Sequence, residues 1–148
     1  TTNGWIATNC AVFKGGTSDS SPAFKMIGDA SNRAFCMNGK TSAVGTITSP
    51  KLSGGITNIS FNYGLPFSDT KIKFSITIKD ASGNIIFTDT IENSSASKLT
   101  KYTFDSKDSL NTLSYEGDFT IEFKNLSPSN STSNKDRTAI WDVEWVGY

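Results

Sequence analysis

Histidine is absent from this sequence of 148 residues, and so is an excess of charge of either sign. Without histidine the chain lacks the commonest general base, the commonest metal ligand and every Ser-His or Cys-His nucleophile pair. Lys plus Arg and Asp plus Glu both number 14, so the net charge is zero and no global field holds the protein on nucleic acid or an anionic membrane. These absences argue against catalysis and nucleic-acid binding, and any preference for a charged ligand must be local.

Long apolar runs are missing as well. No stretch approaches the roughly 20 apolar residues of a membrane-spanning helix, and the sequence opens with TTNGW rather than with a charged and then apolar leader. We therefore expect no membrane span. The missing leader suggests a piece of a larger exported protein, trimmed at both ends. The abundance of Ser, Thr and Asn also suggests export, so we expect the protein to be secreted or displayed on a cell surface.

Cysteine is scarce, with only Cys10 and Cys36 in the chain. The two residues are compatible with one disulfide in an oxidising compartment or with two buried free thiols, and the sequence leaves both alternatives open. Two thiols without histidine fall short of the four N or S ligands of a zinc site.

Alternation of apolar and polar residues with a period of two dominates the rest of the sequence. In KIKFSITIK, residues 71–79, the apolar side chains share one face and the polar ones the other, as in a strand with one wet side. The stretches at 56–64 and 118–124 repeat this pattern. The short polar loop DASG, whose Gly83 can adopt a positive φ, predicts a hairpin between 71–79 and the strand that follows it.

Further strands are predicted at 5–13, 23–27, 33–38, 45–52, 99–104 and 138–146. About ten short strands without an amphipathic helix predict an all-β fold, an antiparallel β-sandwich of the jelly-roll type. We find no internal repeat and no linker, so residues 1–148 are expected to form a single domain. The segment 106–118 is interpreted as a loop or a single helical turn.

The polar tract at 127–137 lies between two predicted strands, so we interpret it as a long ordered loop, where function usually resides on a sandwich. In the strand that follows, strict alternation would put Trp141 and Val143 on one face and Ile140 on the other. Because Ile140 and Val143 both have the character of core residues, a β-bulge is expected between them.

Several stretches resemble a bacterial family of jelly-roll modules that are attached to secreted polysaccharide-degrading enzymes, pectate lyases in particular. The matching stretches are GWIATNC (4–10), NGKTSAVGTITSP (38–50), FNYG (61–64), NSSASKLTKYTF (93–104) and NLSPSNSTSNKDRTAIWDVEW (125–145). The resemblance implies a β-sandwich that binds carbohydrate and has no catalytic activity. Among such modules, the pectin-binding kind uses lysines to hold galacturonate carboxylates.

Cations suited to a sugar acid occur at five positions of interest. Arg can grip a carboxylate with two parallel hydrogen bonds, whereas Lys offers a point charge. We predict Arg33, Lys40, Lys101, Lys135 and Arg137 as ligand-binding residues, although each taken alone is also compatible with an ordinary solvated charge. Because the loops at one end of a sandwich cluster, we expect Arg33 and Arg137 to meet near Lys40.

Polar and aromatic partners complete the predicted site. Asn134 lies in the polar loop, and Tyr63 and Trp141 offer flat surfaces on which sugar rings could stack. Core packing is the alternative role for both aromatic residues, because sandwich cores consume most such side chains.

Two other chemistries were weighed. Asp142 and Glu144, at i and i+2 of one strand, resemble the close carboxyl pair of a retaining glycosidase, but no second acidic strand supports them. A structural calcium ion would need scattered acids to converge, so we expect no cofactor and leave a metal open.

The sequence therefore predicts a monomeric, non-catalytic carbohydrate-binding module that tethers a linked catalytic domain to acidic plant polysaccharide, chiefly pectic homogalacturonan. The alternatives are a surface adhesion or structural sandwich domain and a module for a neutral glycan such as xylan or β-glucan.

Overall fold

The computed structural model of the chain describes residues 4–14, 33–66, 69–96, 101–133 and 135–148. The regular structure of these residues is almost entirely strand. The strands are β1 (Ile6–Thr8), β2 (Cys10–Lys14), β3 (Arg33–Met37), β4 (Thr46–Thr48), β5 (Asn58–Gly64), β6 (Ile72–Asp80), β7 (Ile85–Asn93), β8 (Lys101–Asp105), β9 (Phe119–Asn125) and β10 (Thr138–Val146). The strand predicted at 23–27 lies outside the described residues.

The strands form two antiparallel five-stranded sheets. Sheet 1 has the order β1-β4-β9-β6-β7 and sheet 2 the order β2-β3-β10-β5-β8. The predicted all-β sandwich is therefore confirmed. Within the described ranges, the single 3-10 turn at Ser106–Asp108 is the only helical element, and none of their helices is long and apolar enough to cross a membrane.

The core lies between the sheets and is filled by the alternating apolar residues. Phe61 of β5 packs edge-on against Phe123 of β9, with ring centroids 4.8 Å apart, and it also contacts Phe74 of β6. All three rings are buried. Burial of apolar surface at about 25 cal/mol per Å² is the main term that holds the two sheets together.

The first predicted strand, 5–13, is divided by Asn9, whose φ is 53°. Before this kink β1 pairs with β4 in sheet 1, and after it β2 pairs with β3 in sheet 2. A short polar residue tolerates the left-handed conformation that turns the chain from one sheet to the other.

The register of β2 and β3 separates the two cysteines. Cys10 pairs with Met37, and Cys36 pairs with Ala11. The cysteines therefore occupy successive rungs of the ladder and point to opposite faces of sheet 2. Both are free thiols, so the alternative of two unbridged cysteines holds.

The expected bulge in β10 is present. Trp141 pairs with Asn62 and Glu144 with Ser60, so two residues of β10 lie opposite the single residue Phe61. Asp142, with φ at 52°, absorbs the extra residue. As a result Ile140 and Val143 both pack on the core.

The predicted hairpin joins β6 and β7. The Asp80 carboxylate accepts the backbone N–H groups of Ser82 and Asn84, both at 2.9 Å, and Gly83 has a φ of 87°. These bonds lower the pKa of Asp80, chiefly through the side-chain and backbone N–H groups of Asn84.

The strand directions define two ends of the sandwich. One, called here the loop end, carries residues 38–45, 69–71 and 126–137, because β3, β5 and β9 finish there and β10 begins there. The other, called the hairpin end, carries the Asp80–Asn84 turn, Gly54 and Gly55, and residues 106–118.

Candidate functional site

The polar loop after β9 is fixed at its base by a buried amide. The Asn125 side chain is 0% exposed. Its Nδ2 donates to the backbone carbonyl oxygens of Asp136 (2.8 Å) and Met37 (3.4 Å), and its Oδ1 accepts the backbone N–H of Ser127 (2.7 Å). The first and last parts of the loop are thereby joined through one side chain.

A second tie runs in the opposite direction. Asp136 is 5% exposed, and its carboxylate accepts the backbone N–H of Ser129 at 3.0 Å. Ser127, Asn130 and Asp136 all have φ near 50°, a conformation that costs energy in non-glycine residues and persists only where surrounding contacts hold it. In the part of the loop that the structure describes, hydrogen bonds therefore hold the backbone in a defined conformation.

The loop also packs on residues 38–45. Ser127 Oγ donates to the Gly39 carbonyl at 2.5 Å, and the backbone N–H of Thr41 donates to the Ser131 carbonyl at 2.9 Å. A Cβ added at Gly39 would collide with the carbonyl oxygen of Lys135. The backbones next to Lys40 and at Lys135 are thus in direct contact.

Arg137 is bound to a carboxylate of the protein itself. Its Nε donates to Asp69 Oδ2 at 2.8 Å and its second guanidinium nitrogen approaches Oδ1 at 3.4 Å, while its backbone N–H reaches Oδ2 at 3.2 Å. The Asp69 side chain is 6% exposed and that of Arg137 25%. The guanidinium that we predicted to hold a sugar acid therefore anchors residues 69–71 to β10.

The predicted lysines are placed differently. Lys101 and Lys135 are exposed and Lys40 is half-buried. Lys101 begins β8 opposite Gly64, which in turn pairs with Ala139 near the start of β10, so it lies at the loop end with the other two. Among the described residues no carboxylate forms an ion pair with any of these three lysines.

The register places most of the described charges at one end or the other, and Asp89, Glu122 and Asp142 in mid-strand. The basic described side chains at the loop end are Lys40, Lys71, Lys73, Lys101, Lys124, Lys135 and Arg137, whereas the acidic ones there are Asp69, Glu92 and Asp136. At the hairpin end the acidic ones are Asp80, Asp105, Asp108, Glu116, Asp118 and Glu144, and the basic ones are Lys51, Lys79 and Lys107.

The loop end is thus basic and the hairpin end acidic, although the net charge is zero. The few acids at the loop end are already engaged, since Asp69 holds Arg137, Glu92 lies 4.0 Å from Lys73 and Asp136 accepts a backbone N–H. A local positive potential at this end is the electrostatic condition for attracting an anion.

Arg33 does not join this group through the backbone. It is the first residue of β3 and pairs with Lys14, whereas Met37 at the other end of β3 pairs with Thr138, next to Arg137. Four residues of strand separate these positions by about 13 Å. The backbone therefore does not bring Arg33 beside Arg137 and Lys40, because β3 runs from Arg33 at mid-sheet to Met37 at the loop end. Asn134 lies outside the described residues.

The two predicted aromatic platforms are covered. Tyr63 is 8% exposed and belongs to the core, with its ring stacked on Tyr102 at 5.2 Å and edge-on to Phe74. Desolvation raises the pKa of its hydroxyl. Trp141 projects from the outer face of sheet 2 but is only 5% exposed, in a cluster with Ala34 and Ala139. Neither ring offers a stacking face, so core packing is the role of Tyr63.

The acidic pair of β10 lies on an open surface. Asp142 and Glu144 are both exposed. Asn62 Nδ2 donates to the Asp142 carboxylate at 3.1 Å, and Thr103 donates to Asn62 Oδ1 at 2.9 Å. This hydrogen-bonded row on sheet 2 lacks the enclosed cleft in which a glycosidase holds its two carboxyls.

A metal site was tested against the same residues. Among the described parts of the chain, no group of three or more His, Cys, Asp or Glu side chains is arranged to hold an ion.

The structure adds residues that the sequence pattern did not single out. Lys71 and Lys124 are exposed at the loop end, and Asn125, Asp136 and Asp69 form the framework of the site. Only the buried placement of these last three reveals their role. Asn125 also bonds to Met37 and Asp69 to Arg137, partners 88 and 68 residues away, so local pattern gives no signal for these contacts.

Comparisons with known proteins identify the fold. No family model matches the sequence, and no curated protein matches it. The chain is similar in structure to TmCBM61 in complex with β-1,4-galactotriose, with 12% sequence identity, a TM-score of 0.61, and coverage of 97% of this chain and 88% of that one.

Two further solved structures are similar. The carbohydrate-binding module CBM36 in complex with calcium and xylotriose has 12% identity and a TM-score of 0.50, over 96% of this chain and 98% of that one. A glycoside hydrolase family 43 arabinoxylan arabinofuranohydrolase from Bacillus subtilis has 11% identity and a TM-score of 0.54, and the chain spans 27% of its length. At these identities the likeness establishes a shared β-sandwich fold.

Proposed function

We propose that this chain is a non-catalytic carbohydrate-binding module that holds an exported bacterial enzyme on plant cell-wall polysaccharide, with pectic homogalacturonan as its ligand. The observation that carries the proposal is the basic loop end. There Lys40, Lys101 and Lys135 have no carboxylate partner among the described residues, beside a loop that Asn125 and Asp136 fix.

The mechanism follows from charge and rigidity. Each galacturonate residue carries one carboxylate, so a polymer presents a row of anions to the lysines, which act as point charges. Because internal hydrogen bonds already hold the loop backbone, little backbone conformational entropy is lost when the ligand binds. A linked catalytic domain would then work at a raised local concentration on its insoluble substrate.

A neutral glycan such as xylan or galactan is the second candidate. It is favoured by the likeness of the fold to TmCBM61 and CBM36, whose structures contain β-1,4-galactotriose and xylotriose. The two candidates differ in salt dependence, because ion pairs at an exposed site are screened as salt rises whereas stacking and neutral hydrogen bonds are much less affected.

Affinity gel electrophoresis tests the proposal. Polygalacturonate, methylated pectin, xylan and β-1,4-galactan are compared at low and high salt. We expect polygalacturonate to retard the protein most, methylated pectin less, and high salt to weaken both. The triple variant Lys40→Ala, Lys101→Ala, Lys135→Ala should lose about tenfold in affinity, since three exposed pairs of about 0.5 kcal/mol each correspond to that factor.

The matched control is Lys51→Ala, Lys79→Ala, Lys107→Ala, which removes the same charge from the hairpin end. Equal losses in the two triple variants would mean that net charge rather than the loop end controls binding, and would refute the site. Salt-independent retardation by xylan or galactan alone would favour the neutral-glycan candidate. No retardation by any polymer would leave an adhesion or structural role.

A further inference from the structure

Residues 106–113 cross the open side of the sandwich, from the end of β8 in sheet 2 to β7 at the edge of sheet 1. Ser109 Oγ donates to the Asp89 carboxylate and Asn111 Nδ2 donates to the Thr88 carbonyl, both at 2.7 Å. At the start of the segment, Ser106 Oγ accepts the backbone N–H of Ile59 at 3.0 Å. The segment is therefore bound to both sheets and holds a defined shape.

A groove opens along this segment. Its volume is about 230 Å³, and its walls include Thr57, Lys107, Ser109, Asn111, Thr112 and Leu113. Pockets for drug-sized ligands begin at about 300 Å³, so this groove is suited to a single small ring rather than to a larger ligand.

The walls combine unused polar groups with apolar surface. Within the described chain, the Thr112 hydroxyl and the Lys107 amine have no hydrogen-bond partner, whereas Ser109 and Asn111 are already fixed by theirs. Leu113 is 7% exposed and forms an apolar part of the lining, and the neighbouring Leu110 is 104% exposed. A pyranose ring has the matching character, with hydroxyls at its rim and an apolar C–H face.

The charge around the groove selects against a sugar acid. Lys107 is the one cation in the lining. Asp105 caps the 3-10 turn by accepting the Lys107 backbone N–H at 2.9 Å, Asp108 lies in the same turn, and Asp89 holds Ser109. Three carboxylates beside the groove thus outnumber the one lysine in its described lining, so the local net charge is negative and disfavours a uronate.

We propose that this groove is a second binding site, which takes one ring of a neutral saccharide. It lies at the hairpin end and is separate from the basic loop end. This proposal is argued from the residues that line the groove, and it does not depend on the ligand proposed for the lysines of the loop end.

The test is a two-dimensional ¹⁵N NMR titration of the whole chain with xylotriose, β-1,4-galactotriose and, as the acidic contrast, digalacturonate. We expect one of the neutral trisaccharides to shift the amide signals of Thr57, Asn111 and Thr112 at concentrations on the order of millimolar, without dependence on salt. The double variant Lys107→Ala, Thr112→Ala, which removes two polar side chains of the lining, should weaken this binding about tenfold.

Both substituted side chains are exposed, so the fold should be retained, and Lys51→Ala, which removes an exposed lysine outside the groove, is the matched control. Absence of shifts at these amides with both neutral sugars would overturn the proposal. So would equal binding by the double variant, or a stronger shift with digalacturonate. Failure of polygalacturonate to bind the loop end would leave this result unaffected, so the two proposals fail separately.

Discussion

Asn125 and Asp136 lie 11 residues apart in sequence, yet the buried amide of Asn125 donates to the Asp136 carbonyl at 2.8 Å. The same amide side chain also reaches Met37 and Ser127. One fully buried residue therefore joins the two ends of the polar loop at 126–137. This relationship makes the ordered state of the loop testable without any ligand.

Asn125→Ala should destabilise the fold by about 3 kcal/mol, because it leaves buried carbonyl and N–H groups without a partner. Urea denaturation measures the loss, and hydrogen exchange should show faster exchange at Ser127 and Ser129. The control is Asn130→Gly, which suits the positive φ of that exposed site and should change stability by less than about 0.5 kcal/mol. Equal stability of the two variants would contradict the assigned role of Asn125.

The Arg137–Asp69 pair should show strong coupling in a double-mutant cycle. Arg137→Ala leaves the buried Asp69 carboxylate without its guanidinium, and Asp69→Asn removes the charge that this guanidinium binds. The cycle should give a coupling of about 2 kcal/mol. Arg137→Lys should recover only part of it, because lysine cannot form the two-nitrogen contact. A coupling near zero in thermal or urea unfolding would show that the contact contributes nothing to stability.

Gly39→Ala should displace the polar loop. The added Cβ would meet the carbonyl of Lys135 and, at 2.8 Å, that of Asp136, and overpacking of this kind costs about 2 kcal/mol. We expect lower stability together with weaker retention by polygalacturonate. Gly147→Ala, where the nearest atom is 3.2 Å away, is the control. If the Gly39→Ala protein folds and polygalacturonate retains it as strongly as the parent, the position of the loop does not affect binding.

The free thiols predict a decline of stability in alkali. Burial raises the pKa of Cys10 from 9.0 to about 11 and that of Cys36 to about 12. The unfolded chain thus releases these protons first, so the contribution is fully present below about pH 9 and is lost as pH rises through the folded values.

Urea denaturation between pH 7 and 11 measures this effect, and the variant Cys10→Ala, Cys36→Ala should show a smaller decline than the parent. The parent should also contain two titratable thiols after unfolding without reductant. An intrachain disulfide in the mass spectrum of the folded protein would contradict the strand register.

The alternating pattern was sufficient to predict the architecture. It placed β10 at 138–146 with its bulge, because the conflict between Ile140 and Val143 is visible in the pattern itself. It did not divide the strand at 5–13, since the kink at Asn9 depends on the pairing of β1 and β2 with different sheets.

The site was less predictable than the fold, because the strand topology brings together residues that are distant in sequence. The Arg137 and Asp69 side chains are 68 residues apart, and no local pattern links them. Arg33 was grouped with Arg137 on the general clustering of loops, but the antiparallel register of β3 places its backbone at mid-sheet, four residues from the loop end. The roles of Tyr63 and Trp141 could not be predicted from residue type, because an aromatic residue in a strand can pack in a core or lie on a binding face.

Among the described side chains, the gathering of lysines at the loop end and of acids at the hairpin end contributes a dipole roughly parallel to the strands. Such a protein would rotate in the field of a polyanionic wall before any contact forms, turning residues 38–45 and 126–137 toward it. Orientation during approach, rather than total charge, would then control the rate of capture, and dissolved ions would reduce that rate by damping the torque.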